Sequence, residues 1–296
     1  MRKYIAAMSA ALALCVGALP VIAENAAPVA ENFEFETYRE ISFGAQLAAV
    51  DPEGDTVSFE ITTPPKKGKL DLDEDGHFVY SPAEGKKGKD YFGYRAVDAE
   101  GNRSQEGTVV IKIAKKSPVC YVDMDGSASH CSAVKLAECG AFVGKRLGGD
   151  YYFEPESTLT RGEFLALCMS VTGADTLGGV VSTGFADDAQ IPAWLKSCVA
   201  SAVSDGVIKG RRGADGVYFD AGSTVTRAEA GVMLDRLLRL TDVGWLSAGE
   251  GVPAWAAQAA ANLGACSIPS AMDGAPLTRA EAADMLAAAM SVIEKR

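Results

Sequence analysis

Two patterns of apolar residues divide the chain. Between about residues 35 and 113, apolar and polar residues alternate, most clearly over 57–61, 92–96 and 109–113. A period of two is typical of strands with one buried face. Turn-forming runs such as Pro52–Asp55 and Glu100–Asn102 separate these segments. The pattern predicts a β-sandwich of fewer than 100 residues.

A helical period replaces this alternation after residues 114–118. Three near-identical tetrapeptides each open a stripe of apolar residues at helical spacing, and they are Thr160–Glu163, Thr226–Glu229 and Thr278–Glu281. The first two copies also match at a constant offset of 66 residues, as Gly140 with Gly206 and Phe153 with Phe219. Each copy therefore reads as a helix, a glycine-marked turn with a loop, and a second helix. Repetition of this kind predicts stacked units that share one core.

The tetrapeptide has a physical explanation for two of its residues. A Thr at the N-cap and a Glu three residues later form a capping box, in which both side chains satisfy backbone groups at the helix start. The Arg between them is not explained, because a cation in the first turn opposes the helix dipole. One alternative is an anionic ligand, bound by the Arg together with free N–H groups of the helix N-terminus. The other is an ion pair with an acid of a neighbouring unit.

These repeats resemble S-layer homology repeats over about residues 118–296. The resemblance implies a mostly α-helical, pseudo-threefold module that binds secondary cell-wall polysaccharide, often pyruvylated, in grooves between units. It implies glycan contacts by the tetrapeptide Arg, the acid after the opening aromatic and the aromatic residue of the first helix. These positions are Arg161, Arg227, Arg279, Asp187, Trp194 and Trp255.

Several features of the repeats depart from the family pattern. The first copy has no Trp and places His130 near the expected position, while the third has a shorter loop and lacks the glycine turn. We therefore expect a degenerate third groove, with most affinity in the Arg161 and Arg227 grooves. For Trp194 and Trp255, packing in the core is the alternative to a role as sugar platforms.

The β-rich part, at about residues 27–114, resembles bacterial Ig-like or cadherin-like modules. The motifs that carry this resemblance are Asp51–Asp55, Pro65–Lys69, Phe78–Pro82, Gly88–Tyr94 and Val97–Gly101. Such modules imply a spacer or adhesive role, and some related ones bind calcium. The candidate oxygen ligands are Asp51, Asp55 and Asp98, with Glu53, Asp90 and Glu100 beside them. The alternative is that these acids are solvated turn residues.

The first 23 residues have the features of a cleaved signal peptide. Arg2 and Lys3 precede an apolar run over 5–19, and Val21–Ala23 suits peptidase cleavage. No later segment approaches the roughly 20 apolar residues of a membrane span. The six cysteines after the signal peptide permit disulfides in an exported chain, although small buried thiols are the alternative. Six cysteines allow about 15 pairings, so the sequence leaves the connectivity open.

The composition argues against two classes of function. A net charge of -11 disfavours nucleic-acid partners, which need clustered Lys and Arg. Only His77 and His130 are present, and no nucleophile elbow, P-loop or metal-binding His pair occurs. We therefore expect neither an enzyme nor a resident cofactor, calcium apart.

Together these features predict a multidomain chain with an N-terminal all-β Ig-like sandwich followed by a mostly α-helical pseudo-threefold module. The expected divisions are a signal peptide at 1–23, the sandwich at 24–117 and three units at 118–178, 179–240 and 241–296. We expect a secreted, non-catalytic protein anchored at the cell wall through its polysaccharide. The alternatives are an adhesin whose β-sandwich binds an extracellular host or matrix protein, and a structural component of an S-layer.

Overall fold

The computed structural model describes residues 25–73, 75–244, 251–269 and 271–296. The predicted signal peptide at 1–23 lies outside the described residues. The described residues of the β-rich part form nine strands. Their bounds are β1 Val29–Ala30, β2 Phe33–Thr37, β3 Phe43–Gln46, β4 Ala49–Val50, β5 Ser58–Thr63, β6 Gly68–Leu72, β7 His77–Pro82, β8 Gly88–Val97 and β9 Gly107–Ile113.

These strands form two main sheets, in the orders β2-β9-β8-β5 and β3-β7-β6, with β1 and β4 paired separately. Strands β2 and β9 run parallel, from Phe33 opposite Val109 to Thr37 opposite Ile113, and the other pairs are antiparallel. The rings of Phe78 and Phe92 meet edge to face between the sheets, with centroids 5.2 Å apart. The alternation in the sequence thus folds as predicted, because its apolar positions fill one core.

The rest of the chain is mostly helical, as the change of period predicts. The six helices of its described residues are α1 His130–Glu138, α2 Arg161–Thr172, α3 Ala193–Ser204, α4 Arg227–Leu238, α5 Ala257–Ala265 and α6 Arg279–Glu294. Two hairpins are formed by β10 Lys145–Leu147 with β11 Asp150–Tyr152, and by β12 Arg211–Arg212 with β13 Val217–Tyr218. Short 3-10 helices lie at Val122–Met124, Asp188–Gln190 and Ala254–Ala256. We name the three helix pairs units 1, 2 and 3, in chain order.

The three units close into a ring. The first helix of each unit packs against the second helix of the unit before it: α3 on α2, α5 on α4, and α1 on α6. At the centre, three backbone N–H groups donate around a triangle, from Val225 to Leu159, from Leu277 to Val225 and from Leu159 to Leu277, at 3.0, 3.0 and 3.2 Å. Each of these residues directly precedes a tetrapeptide. The sequence repeat is therefore a pseudo-threefold arrangement in space.

The β-sandwich is joined to unit 1 by packing as well as by the chain. Tyr38 and Ile41, between β2 and β3, are buried in the core of the helical part. The Tyr38 hydroxyl donates to Glu138 at 3.1 Å, and the Cys131 thiol donates to Thr37 at 3.4 Å. The sandwich is thus docked on α1.

The described residues can be searched for disulfides and for membrane-spanning helices. All six cysteines present there are free thiols, so none of the disulfides that the sequence permits is formed among the described residues. None of the described helices is long and apolar enough to cross a membrane.

Candidate glycan-binding grooves

The capping boxes predicted from the tetrapeptides are present in all three units. In unit 1, the Glu163 N–H donates to the Thr160 hydroxyl at 3.2 Å, and the Thr160 N–H donates to the Glu163 carboxylate at 2.9 Å. The same reciprocal pair begins α4 and α6. Each helix start is therefore fixed by its own side chains, which sets the position of the Arg between them.

The free N–H groups expected at these helix starts are not free. The N–H groups of Arg161 and Gly162 donate to the carbonyls of Ser223 and Ala221 in unit 2, each at 2.9 Å. Equivalent bonds join α4 to the loop of unit 3 and α6 to the loop of unit 1. Free N–H groups, which one of the two alternatives for the Arg assumed, are therefore not available, because loops of the neighbouring units occupy these donors.

Arg161 is held in the interface between units 1 and 2. Its guanidinium lies 3.0 Å from the Glu229 carboxylate, and its Nε donates to the Phe219 carbonyl at 3.0 Å. The guanidinium carbon also lies 5.5 Å from the centre of the Phe219 ring. Only 6% of the Arg161 side chain is exposed. Of the two alternatives for this Arg, the structure shows the ion pair with a neighbouring unit.

The other two arginines follow the same rule around the ring. Arg279 of unit 3 pairs with Glu154 of unit 1 at 2.6 Å. Arg227 of unit 2 pairs with Asp273 at 3.0 Å and also with Glu281, both in unit 3. All three arginines therefore join units, and their role toward a ligand stays a prediction.

Asp187 holds the loop that contacts Arg161. Its two carboxylate oxygens accept the N–H groups of Phe219 and Asp220, at 2.9 and 2.8 Å. The side chain is buried, so it shapes the groove from behind. Unit 1 repeats this arrangement, since Asp123 accepts the N–H groups of Phe153 and Glu154. Glu154 is the residue that pairs with Arg279.

The two tryptophans lie on the surface. Trp194 and Trp255 are 62% and 60% exposed, so neither is packed in the core. Each lines a groove to which all three units contribute. The Arg161 groove contains Arg161, Glu229 and Trp255 in a cavity of about 260 Å³. The Arg279 groove contains Arg279, Glu163 and Trp194 in a cavity of about 320 Å³.

The third cavity, the Arg227 groove, differs in chemistry. It measures about 130 Å³ and is lined by Arg227, Glu281 and Asp284, with no indole among its described lining residues. Unit 1 supplies Ser129 here, whose hydroxyl donates to Asp284 at 2.7 Å. Burial raises the pKa of Asp284, and the nearby Glu281 raises it further. From the sequence we expected the Arg161 and Arg227 grooves to carry most of the affinity. In the structure, the Arg161 and Arg279 grooves are the two that resemble each other, because each contains a Trp.

Sequence reasoning missed the basic residues around the Arg161 groove. Lys209, Arg211 and Arg236 also line it, so four cations face the single carboxylate of Glu229. Arg211 pairs with Glu229 and lies 3.5 Å from Asp220. The constant offset of 66 could have identified Arg211, because it relates the pair of Arg211 and Asp220 in unit 2 to the pair of Lys145 and Glu154 in unit 1. The Lys145 ammonium lies 2.6 Å from the Glu154 carboxylate.

The acids proposed for calcium stabilise turns of the β-sandwich. Asp51 accepts the N–H groups of Glu53 and Asp55, and Asp98 accepts those of Glu100 and Asn102. Asp90 is buried and accepts the hydroxyl of Tyr80 at 2.8 Å, together with two backbone N–H groups. Within the described ranges, no group of three or more acidic, His or Cys side chains could hold a metal ion. The calcium candidates remain a prediction.

Comparison with known proteins identifies the β-rich part. Residues 25–115 match the bacterial cadherin-like domain. This part of the chain is a cadherin-like domain of the Ig-like type. No match to S-layer homology repeats supports the interpretation of residues 118–296. No curated protein matches the chain.

The matches to solved structures each cover about a third of this chain. The SrpA adhesin of Streptococcus sanguinis is 19% identical with a TM-score of 0.24, over 34% of this chain and 66% of that one. The D00-D0 domain of intimin is 15% identical with a TM-score of 0.24, over 31% and 50%. An endo-fucoidan hydrolase of glycoside hydrolase family 107 is 17% identical with a TM-score of 0.26, over 31% and 14%. The chain thus spans about a seventh of that hydrolase's length.

Proposed function

We propose that this chain is a secreted, non-catalytic surface protein whose helical ring binds an anionic cell-wall polysaccharide. One observation carries the proposal: two of the three grooves combine an Arg whose side chain is at most 18% exposed, the capping Glu of the next unit and an exposed Trp. An exposed indole costs free energy in water unless a partner covers it, and a flat aromatic face suits a sugar ring. In this proposal the cadherin-like domain acts as a spacer or contact domain.

The charges rank the grooves. In the Arg161 groove four cations face one acid, so a carboxylate or ketal group of a polysaccharide is attracted there. The Arg279 groove has one cation and one acid, with Phe142 and Trp194 adding apolar surface. In the Arg227 groove two acids face one cation, which repels an anion. We therefore place the tightest binding in the Arg161 groove, with Asp187 acting as a positioning residue.

The test is co-sedimentation of the full chain with purified cell-wall sacculi, with and without chemical removal of the secondary polymer. Trp255→Ala and Trp194→Ala are each expected to weaken binding at least about tenfold, because a central Trp often dominates an interface. Val181→Ala serves as the matched control, since Val181 is 85% exposed and lies outside the grooves. Sedimentation that survives removal of the polymer, or that both Trp variants retain in full, would reject the proposal.

A second function, adhesion, is favoured by the match to a cadherin-like domain. Here the sandwich binds an extracellular protein and the helical ring only tethers it. Calcium addition should then raise the melting temperature of the full chain, and Asp98→Asn should remove that shift. Asp71→Asn is the control, because Asp71 is exposed and its ion pair among the described residues is with the exposed Lys69. A melting temperature that calcium does not change would mean that the adhesive function does not depend on calcium.

A further inference from the structure

The sequence Lys-Lys-Gly-Lys occurs twice in the cadherin-like domain, at 66–69 and at 86–89. Four lysines are thus placed in two short loops, and two more at the starts of the strands that follow them, in a chain whose net charge is -11. Glu84 is the only acid within the segments 64–69 and 84–89. Like charges so close together cost free energy, and the functions considered above give no reason for them.

The fold brings these two loops together. The first loop leads into β6 and the second into β8, and both lie at the end of the sandwich where β9 finishes. The Lys67 ammonium donates to the Lys87 carbonyl at 3.0 Å. Asp90 fixes the first loop by accepting the N–H groups of Lys66 and Lys67, at 3.0 and 2.7 Å. We call the two loops together the lysine platform.

Little on the protein neutralises this charge. Lys66, Lys86 and Lys87 are exposed and form no ion pair with the described residues. Lys69 and Lys89 pair with Asp71 and Glu34, but both pairs are exposed and such pairs contribute only about 0–1 kcal/mol. The platform therefore presents several unpaired ammonium groups to solvent.

Arg39 adds a further cation at the rim. A side chain placed on Gly85, in the second loop, would lie 4.0 Å from the Arg39 guanidinium. The Arg39 Nε is buried and has no hydrogen-bond partner among the described residues. The positive surface thus continues from the two loops toward the junction with the helical ring.

We infer that the lysine platform binds an anionic polysaccharide, through several of its acidic groups at once. Lysine is a compact point charge on a flexible stem, which suits closely spaced anionic groups of varied geometry. The cores of protein interfaces are instead depleted in Lys and enriched in aromatic residues, and the two loops contain no aromatic residue. That absence also disfavours single-stranded nucleic acid, which stacks its bases on aromatic rings.

This site is separate from the grooves of the helical ring and does not depend on them. It lies on the cadherin-like domain and uses mostly exposed lysines, whereas the grooves use ion-paired arginines beside tryptophans. Binding there should therefore depend strongly on salt, because each bound anionic group releases counterions.

Retention of the full chain on immobilised heparin and on immobilised polygalacturonate, each in a salt gradient, tests the inference. The quadruple variant Lys66→Gln, Lys67→Gln, Lys86→Gln, Lys87→Gln is expected to bind at least about 100-fold more weakly at low salt. Its salt dependence should fall by about 3 in log–log slope. The matched control removes four exposed cations elsewhere: Arg95→Gln, Arg103→Gln, Arg212→Gln and Lys295→Gln.

The outcomes separate the explanations. Retention of the wild type and control, but not of the platform variant, supports the inference, and the two polymers show whether carboxylates suffice or sulfate esters are needed. A wild type that neither polymer retains, or equal losses in variant and control, would overturn it. A salt-sensitive dimer that forms without polymer and is lost in the platform variant would assign the platform to acidic surfaces of a second copy. The double variant Trp194→Ala, Trp255→Ala should retain full heparin binding, and its loss would place that binding in the grooves.

Discussion

Arg161 of unit 1 lies 3.0 Å from Glu229 of unit 2, and both side chains are largely buried. Glu229 is also the residue that completes the capping box of α4. One carboxylate thus begins a helix and joins two units, which explains why an Arg of one tetrapeptide and the Glu of the next are both needed at this interface. The same coupling recurs between Arg227 and Glu281.

Replacing Arg161 with Ala should destabilise the protein by about 3 kcal/mol, because the variant leaves Glu229 buried with less charge compensation. Urea unfolding followed by circular dichroism measures this. Arg103→Ala is the matched control, since Arg103 and Glu60 form an exposed pair at 3.3 Å and should contribute less than about 1 kcal/mol. Equal losses in the two variants would mean that Arg161 has no special role between the units.

Asp187→Asn should lower the free energy of unfolding by about 2 kcal/mol. Two backbone N–H groups donate to the two carboxylate oxygens of Asp187, and an amide has only one oxygen to accept them. The variant should also weaken polysaccharide binding, since the Phe219 carbonyl that orients Arg161 loses its support. Unfolding and sacculus sedimentation, each compared with the exposed control Asp205→Asn, measure both effects. A variant with normal stability but lost binding would instead indicate direct contact between Asp187 and the polysaccharide.

The tetrapeptides show how far sequence alone predicts this fold. Capping residues act locally, so Thr160 and Glu163 identify a helix start without knowledge of the tertiary structure. Likewise, the alternation around Phe92 and Tyr94 is local and predicts a buried strand face. The constant offset then shows that the first two units are equivalent, whereas the pseudo-threefold arrangement was expected only from the resemblance to S-layer homology repeats.

The partners of the arginines could not be predicted in the same way. Arg279 pairs with Glu154, which is 125 residues away in the sequence. Glu154 comes shortly after β11 and does not belong to a tetrapeptide. Such a pair depends on closure of the ring, which brings unit 3 back to unit 1. The exposure of Trp194 also depends on the ring, because a helix with apolar residues on several faces does not show which face becomes buried.

Gly231→Ala should destabilise the protein by about 1–3 kcal/mol, as in other overpacked cores. Gly231 lies in α4, and an added methyl group would overlap the Met272 sulfur of unit 3. Met272 is buried, so its side chain has to move within the core to accommodate the added methyl group. Gly178→Ala is the control, since a side chain there would meet no atom within 4 Å. A neutral Gly231→Ala would show that the contact between units 2 and 3 is loose.

The buried acid of the Arg227 groove should give stability a distinct pH dependence. Burial, with Glu281 beside it, raises the pKa of Asp284 even though Ser129 and Ser132 donate hydrogen bonds to it. The native state therefore holds this proton more tightly than the unfolded chain does. Its contribution is fully present below the usual Asp pKa of about 3.9 and is lost as pH rises through the raised native value.

Asp284→Asn should thus stabilise the protein at neutral pH and flatten the profile above about pH 4. Asp188→Asn should do the opposite, because the hydrogen bond from Lys196 lowers the pKa of Asp188 to about 2. Its contribution is present at neutral pH and is lost as pH falls below about 3.9 and through about 2. Urea midpoints measured at closely spaced pH values compare the two variants. If Asp284→Asn lowers stability at pH 7, the ionised carboxylate is stabilised by Arg227 across the groove, and the acid would then hold units 2 and 3 together.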